Sequence, residues 1–208
     1  SFETLLRQSV QLFRRHRADA PAEALKAQFY YARALCRQGK WQQAAEQAAE
    51  VYSAQCRHYG EHADHDDIAH TLRLQGNINA MQPATLGEAL PLLEQAVAMF
   101  ERLHGMHHAE TAYTYTQIAE QYAKQGYVAE AQSVLRSTDT ILREQLGSLH
   151  PYVAVAQWRL AECCDMQRQY GEAQAHLAEA ERILRGHGCQ HAGAEHAAHL
   201  KRLQIRLY

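Results

Sequence analysis

The apolar positions of this chain fall at helical spacing almost from end to end, with polar turns between them. Val128, Ala131, Val134, Leu135, Thr138, Ile141 and Leu142 make one stripe on a helix. Tyr170, Ala173, Leu177, Ala180, Ile183 and Leu184 repeat that stripe further on. Each stripe follows another helical pattern and a break: GMHHAETAYTYTQIAEQY runs into KQGYVAEA, and GSLHPYVAVAQWRLAECC runs into QRQYGEA. Strand-like alternation is absent. The repeating unit is a helix, a tight turn, a second helix and a short loop. Such a unit cannot bury its apolar face alone, so copies must stack.

Two markers keep one period. The loop histidines His65, His108, His150 and His191 are separated by 43, 42 and 41 positions. The small residues opening the second helices, Ala44, Ala89, Ala131 and Ala173, are separated by 45, 42 and 42. On length alone, a helical pair of this period suits either HEAT or armadillo units or lengthened tetratricopeptide units. The local residues decide. Ala32, Gly76, Ala119 and Ala161 are small where first helices must touch their neighbours. The turns read Gln38-Gly39-Lys40-Trp41, Gln125-Gly126-Tyr127-Val128 and Gln167-Arg168-Gln169-Tyr170. The loops read Gly-x-x-His, once followed by Pro151.

These residues resemble the long tetratricopeptide repeat of the kinesin light chain type, over about residues 22–200. Its pattern is Gly-x-x-His-Pro-x-x-Ala, then Leu-Ala, then Gln-Gly-x-Tyr-x-Glu-Ala. The resemblance implies an all-α, right-handed α-solenoid of about ten helices that binds protein partners. The expected order is an N-terminal capping helix (2–17), repeats at 21–59, 65–104, 108–146 and 150–187, and a C-terminal capping helix (192–207). In repeat two, Thr85 with Glu88 reads as a capping box, and Pro91 should kink the second helix by removing a hydrogen bond.

Composition adds exclusions. The net charge is −2, which gives no long-range pull on nucleic acid or an anionic membrane. No run of 18 apolar residues is present, so no membrane span is expected. The start, SFETLLRQ, lacks a signal-peptide core and an initiator Met, and the chain reads as a segment of a longer protein. Cys36, Cys56, Cys163, Cys164 and Cys189 are odd in number and show no disulfide framework, which suits free thiols in the cytoplasm.

Fourteen histidines invite a metal reading. The loop histidines sit on successive units roughly 10 Å apart, too far to share an ion. His58, His62 and His65 among Asp64, Asp66 and Asp67 form one cluster, and His187, Cys189, His191, His196 and His199 form another. Neither has zinc-ligand spacing, so no metal and no cofactor are expected. Catalytic signatures are absent too: no Gly-x-Ser-x-Gly, no phosphate loop and no His-Glu-x-x-His. Cys163 and Cys164 read as packing residues. The chain is therefore expected not to be an enzyme.

The remaining candidate is the concave face lined by the first helices. Positions at −6, −3, +1 and +4 from each small packing residue should line it. They give Lys26, Phe29, Arg33 and Cys36 in repeat one, and His70, Arg73, Asn77 and Ala80 in repeat two. Repeat three gives Tyr113, Thr116, Glu120 and Ala123; repeat four gives Val155, Trp158, Glu162 and Asp165. The first half is basic and the second acidic, with aromatics between, so a peptide with charges in the opposite order should fit. The kinesin light chain type implies peptide cargo with an aromatic among acidic residues, held by an Asn-Asn pair. Here the pair is replaced by Arg73-Leu74, Thr116-Gln117 and Trp158-Arg159, so that cargo specificity should not carry over. Two competing readings are a ligand- or peptide-sensing regulatory domain and a self-association module that forms a homodimer through its end helices.

Overall fold

A computed structural model describes residues 22–186, and every regular element among them is an α-helix. Eight follow in order: α1 (Ala22–Arg37), α2 (Trp41–Tyr59), α3 (Asp66–Ala80), α4 (Leu86–His104), α5 (Ala109–Lys124), α6 (Val128–Leu146), α7 (Pro151–Met166) and α8 (Tyr170–Gly186). About ten were expected. The two end helices, the homodimer seam they would form and the cluster from His187 to His199 lie outside the described residues. The chain divides into two compact units, Ser1–Leu103 and His104–Tyr208.

In the first unit α1 packs on α2, and α3 packs on both of them. Ala32, Leu35, Ala44, Ala48 and Ile78 form one buried cluster; Ile68, Leu72 and Ala96 form another. Gly76 allows α3 to approach α4 closely. A Cβ there would lie 2.8 and 2.9 Å from the Leu93 side chain and 3.1 Å from the Ala89 carbonyl oxygen. In the second unit α5 packs on α6, α7 on α6 and α5, and α8 on α7. Its core runs through Ala112, Leu142, Val153, Ala156, Ala161, Leu177 and Ile183, with Ala119, Ala131, Leu135 and Leu160 beside it. The small residues of the repeat are buried in both units, because alanine or glycine lets two helix backbones come close.

Three inter-helix turns share one hydrogen-bond design. The amides of Lys40, Tyr127 and Gln169 donate to the carbonyls of Leu35, Tyr122 and Cys164, at 3.0, 3.0 and 2.9 Å. This six-to-one bond closes a Schellman motif and needs a left-handed residue just before its donor. Gly39 (φ 71°) and Gly126 (φ 95°) supply it; in the third copy Arg168 is forced there, at φ 61°.

The loop histidines are helix caps. Nδ1 of His65, His108 and His150 accepts the amide two residues on, at 3.1, 3.3 and 3.1 Å. Each histidine thereby satisfies a donor that the first turn leaves without a partner. The longer loop before α3 is braced further. The Tyr59 ring stacks on His65 at 3.6 Å, and its hydroxyl donates to Asp67 at 2.7 Å. Arg102 grips Asp64 with two bonds of 2.8 and 2.7 Å.

The α3–α4 turn corrects one expectation. Thr85 and Glu88 do not close a capping box side chain to backbone. The Thr85 hydroxyl donates to the Asn79 carbonyl, and the Glu88 carboxylate accepts from the Asn79 amide, both at 3.3 Å. The pair ties the turn back to α3, because the longer connection brings Asn79 within reach first. α4 runs on through Pro91. No helix among the described residues is long and apolar enough to cross a membrane.

Candidate functional site

Each unit presents a face built from its two first helices, α1 with α3 and α5 with α7. On the first face Lys26 and Arg33 are exposed, and Phe29, His70 and Asn77 are half-buried. The Arg33 guanidinium lies 5.8 Å from the Phe29 ring and 5.9 Å from the Tyr30 ring. Phe29 meets His70 at 6.3 Å, and His70 meets Phe100 of α4 edge-on at 5.0 Å. Arg73 lies 3.0 Å from His70 Nδ1 and 5.2 Å from the centre of the Phe100 ring. It is fixed in place and only 9% exposed. The structure thus gathers two cations and an imidazole around aromatic rings, with Lys26 one turn from Phe29.

The second face is organised by a residue that register counting passed over. Arg159 donates to Glu120 of α5, and to Glu162 on its own helix at 2.8 Å. Its guanidinium lies 4.3 Å from the centre of the Trp158 ring. Lys124 pairs with Glu120 at 2.8 Å. The Arg159 side chain is 17% exposed. Burial works against its charge, but Glu120 and Glu162 outweigh that and hold the guanidinium above its usual value. Tyr113 stacks on Tyr152 at 3.8 Å beside this network. Asp165 is half-buried on the last turn of α7.

Two expectations about this face are corrected. Thr116 is 1% exposed and its hydroxyl donates to the Tyr113 carbonyl at 2.7 Å, so it is a packing residue. Trp158 is 8% exposed, beneath Arg159. The reason is geometric. A residue three before a packing position shares its helical face, so it leans inward with it. Arg73 obeys the same rule; the −6 and +1 positions stay more open. The acidic half of the expected charge pattern is largely neutralised from within by Arg159 and Lys124. Arg159 could have been found in the sequence only by pairing it with a carboxylate 39 positions earlier.

The thiols and histidines fall into place differently. Burial pushes the Cys163 thiol up to about 12 and Cys36 up to about 11, which suits packing residues rather than nucleophiles. Of the first histidine cluster, His65 is a cap, Asp64 is held by Arg102 and Asp67 by Tyr59. Among the described residues, the one group with ligand atoms close enough for an ion is Cys164, Glu172 and His176.

Residues 110–186 match the family model for the tetratricopeptide repeat. No curated protein matches the chain. Among solved structures, this chain is similar to a Podosopora anserina protein of nearly identical TPR-like repeats, described as a kinesin light chain. The identity is 26% over 88% of this chain and 84% of that one, with a TM-score of 0.64. It shares its fold with BtubC (BKLC) from P. vanneervenii, at 20% identity over 91% of this chain and 74% of that one, TM-score 0.69. A Rap protein solved with Competence and Sporulation Factor has the fold too, at 14% identity over 99% and 58%, TM-score 0.60. Tetratricopeptide arrays generally mediate contacts between proteins and are not, as a class, enzymes.

Proposed function

We propose that this chain is a protein-interaction module that binds an extended or helical segment of a partner on a first-helix face. The first unit offers the better charged surface. Lys26 and Arg33 are exposed there, and no acidic side chain among the described residues pairs with either. Half-buried Phe29 and His70 give an aromatic floor between them. The segment this suits carries carboxylates spaced around an aromatic side chain, so that cation–π and charge-assisted contacts form together. Asn77 would supply a donor at the edge of the same surface.

On the second face, Glu120 and Glu162 are engaged by Arg159 and Lys124, so a basic ligand must compete for them. There Tyr113, Glu162 and Asp165 act as a preset surface of mixed polarity, and the expected sequence of basic then acidic recognition gives way to recognition led by the basic face. The Rap protein's bound factor supports a ligand-carrying role for this fold. The free thiols of Cys36, Cys56, Cys163 and Cys164 support a reducing, cytoplasmic setting.

The observation that carries the proposal is exposed Arg33 beside the Phe29 ring, with exposed Lys26 one helical turn away. Fluorescence anisotropy against acidic and basic peptides, each containing one tryptophan, tests it. The acidic peptide should bind, and Arg33→Glu should weaken it at least about tenfold, as for loss of one charged hot spot. Binding that ignores both Arg33→Glu and Lys26→Glu would end this reading.

A further inference from the structure

The one mixed ligand cluster among the described residues spans the α7–α8 hairpin. Cys164 lies on α7, while Glu172 and His176 lie one turn apart on α8. The Cys164 sulfur, a Glu172 carboxylate oxygen and a His176 ring nitrogen all lie within 4.8 Å of one another. In a zinc tetrahedron such atoms stand about 3.5 Å apart, given metal–ligand bonds of about 2.0–2.3 Å. Glu172 is exposed, so a rotation of its side chain closes the difference.

Each of these three groups touches a further side chain. His176 Nδ1 lies 2.7 Å from Oε1 of Gln157. An amide oxygen can only accept, so Nδ1 carries the proton and Nε2 is left with its lone pair for a metal. Gln157 is itself buried and fixes the ring's orientation. Nε2 of Gln132 donates to the Cys164 sulfur at 3.3 Å, the direction that steadies a thiolate. Arg136 touches Glu172 at 3.5 Å; both ends of that pair are largely exposed, and it gives way readily.

We propose that Cys164, Glu172 and His176 bind a zinc-class divalent cation that pins α8 to α7. One thiolate, one carboxylate and one neutral imidazole cancel the two charges of the ion. This borderline-soft ligand set suits zinc over magnesium or calcium. Binding forms the sulfur–metal bond and releases the Cys164 proton to solvent. A water completes the tetrahedron at the exposed end. The cluster escapes any search for ligand spacing because the turn between the helices separates Cys164 from Glu172, so only folding brings them together.

Cobalt(II) titration of the full chain, followed by zinc competition, tests this. A thiolate-to-cobalt charge-transfer band should rise to one equivalent and vanish when zinc is added. Cys163→Ser should keep the band and Cys164→Ser should lose it. Glu172→Gln, on the surface, should keep the fold and weaken zinc about tenfold or more. Gln157→Leu should weaken zinc about tenfold by releasing the His176 ring. A wild-type chain with no thiolate band overturns the site. So does a band that survives in Cys164→Ser, or zinc affinity that is unchanged in Glu172→Gln and His176→Gln together.

Discussion

The two first-helix faces arise from the same repeat and use charge in opposite ways. In the second unit, Arg159 lies between Glu120 and Glu162 with its guanidinium over Trp158. Its charge is spent inside the fold. In the first unit, Arg33 lies at the surface beside the Phe29 and Tyr30 rings, and Arg73 rests on an imidazole and a phenyl ring. A cation between two carboxylates holds helices together; a cation over an aromatic ring still presents its donors outward. The same helical register can therefore yield a structural clamp in one unit and a recognition surface in the other.

Removing the clamp is the most severe test of that contrast. Arg159→Met leaves Glu162 without its cation and Glu120 with Lys124 alone, at a cost of about 3 kcal/mol. Arg33→Met should stay within about 0.5 kcal/mol, as for a surface position. Urea denaturation of the two variants measures both. Adding Glu120→Gln and Glu162→Gln to Arg159→Met should restore much of the loss. If Arg159→Met and Arg33→Met cost the same, the distinction between clamp and surface fails.

A smaller effect sharpens what replaces the clamp in the first unit, where α3 and α4 approach through Gly76. Gly76→Ala places a methyl 2.8 Å from the Leu93 side chain. It should cost about 1–2 kcal/mol, the overpacking penalty less the gain in helix propensity. Because the clash is with a side chain, Leu93→Ala should cost less in the Gly76→Ala background than alone; a double-mutant cycle reads that coupling. Additive losses would mean that the close approach is not what Gly76 serves.

The repeat also carries its own control at the inter-helix turns. Gly39 and Gly126 hold positive φ where a Cβ would meet nothing within 4 Å, so only backbone conformation matters there. Arg168 holds the same conformation with a side chain, at φ 61°. Arg168→Gly should therefore stabilise the chain by about 0.5–1 kcal/mol, and Gly126→Ala should destabilise it by a similar amount. Thermal melts of the two variants should move in opposite directions.

These cases show what could be read along the chain and what could not. The helical stripes, the small packing residues and the turns were legible because each depends on residues within one or two turns of sequence. The histidines were legible as a period, and His150 before Pro151 as a cap position, but which ring atom meets which amide was not legible. The candidate faces were half legible. Counting from Ala119 and Ala161 located Glu120 and Glu162, yet it also gave Thr116 and Trp158, which share the packing face and are buried. Arg159 and the Cys164 cluster were not legible, because their partners come from other helices and no local pattern encodes which of several carboxylates folding will bring near.

The finest test compares the loops that lead into first helices. The loop before α3 is the longest, and Tyr59 braces it by stacking on His65 and donating to Asp67. Burial first, and then the bond to Asp67, push the Tyr59 hydroxyl from 10.0 up to about 12. A tyrosine raised in the folded state resists losing its proton there more than in the unfolded chain. Its contribution is thus complete below about pH 10, the unfolded value, and disappears as pH climbs through about 12. Tyr59→Phe removes the hydroxyl and should cost about 0.5–1 kcal/mol at neutral pH, as for a single hydrogen bond. The gap between wild type and Tyr59→Phe in urea should stay constant from pH 7 to 9 and narrow from about pH 10 upward, where ionised hydroxyl begins to favour the unfolded chain. A gap that is already closed at pH 8 would show that the long loop is held by the His65 cap and the Arg102 grip on Asp64 alone.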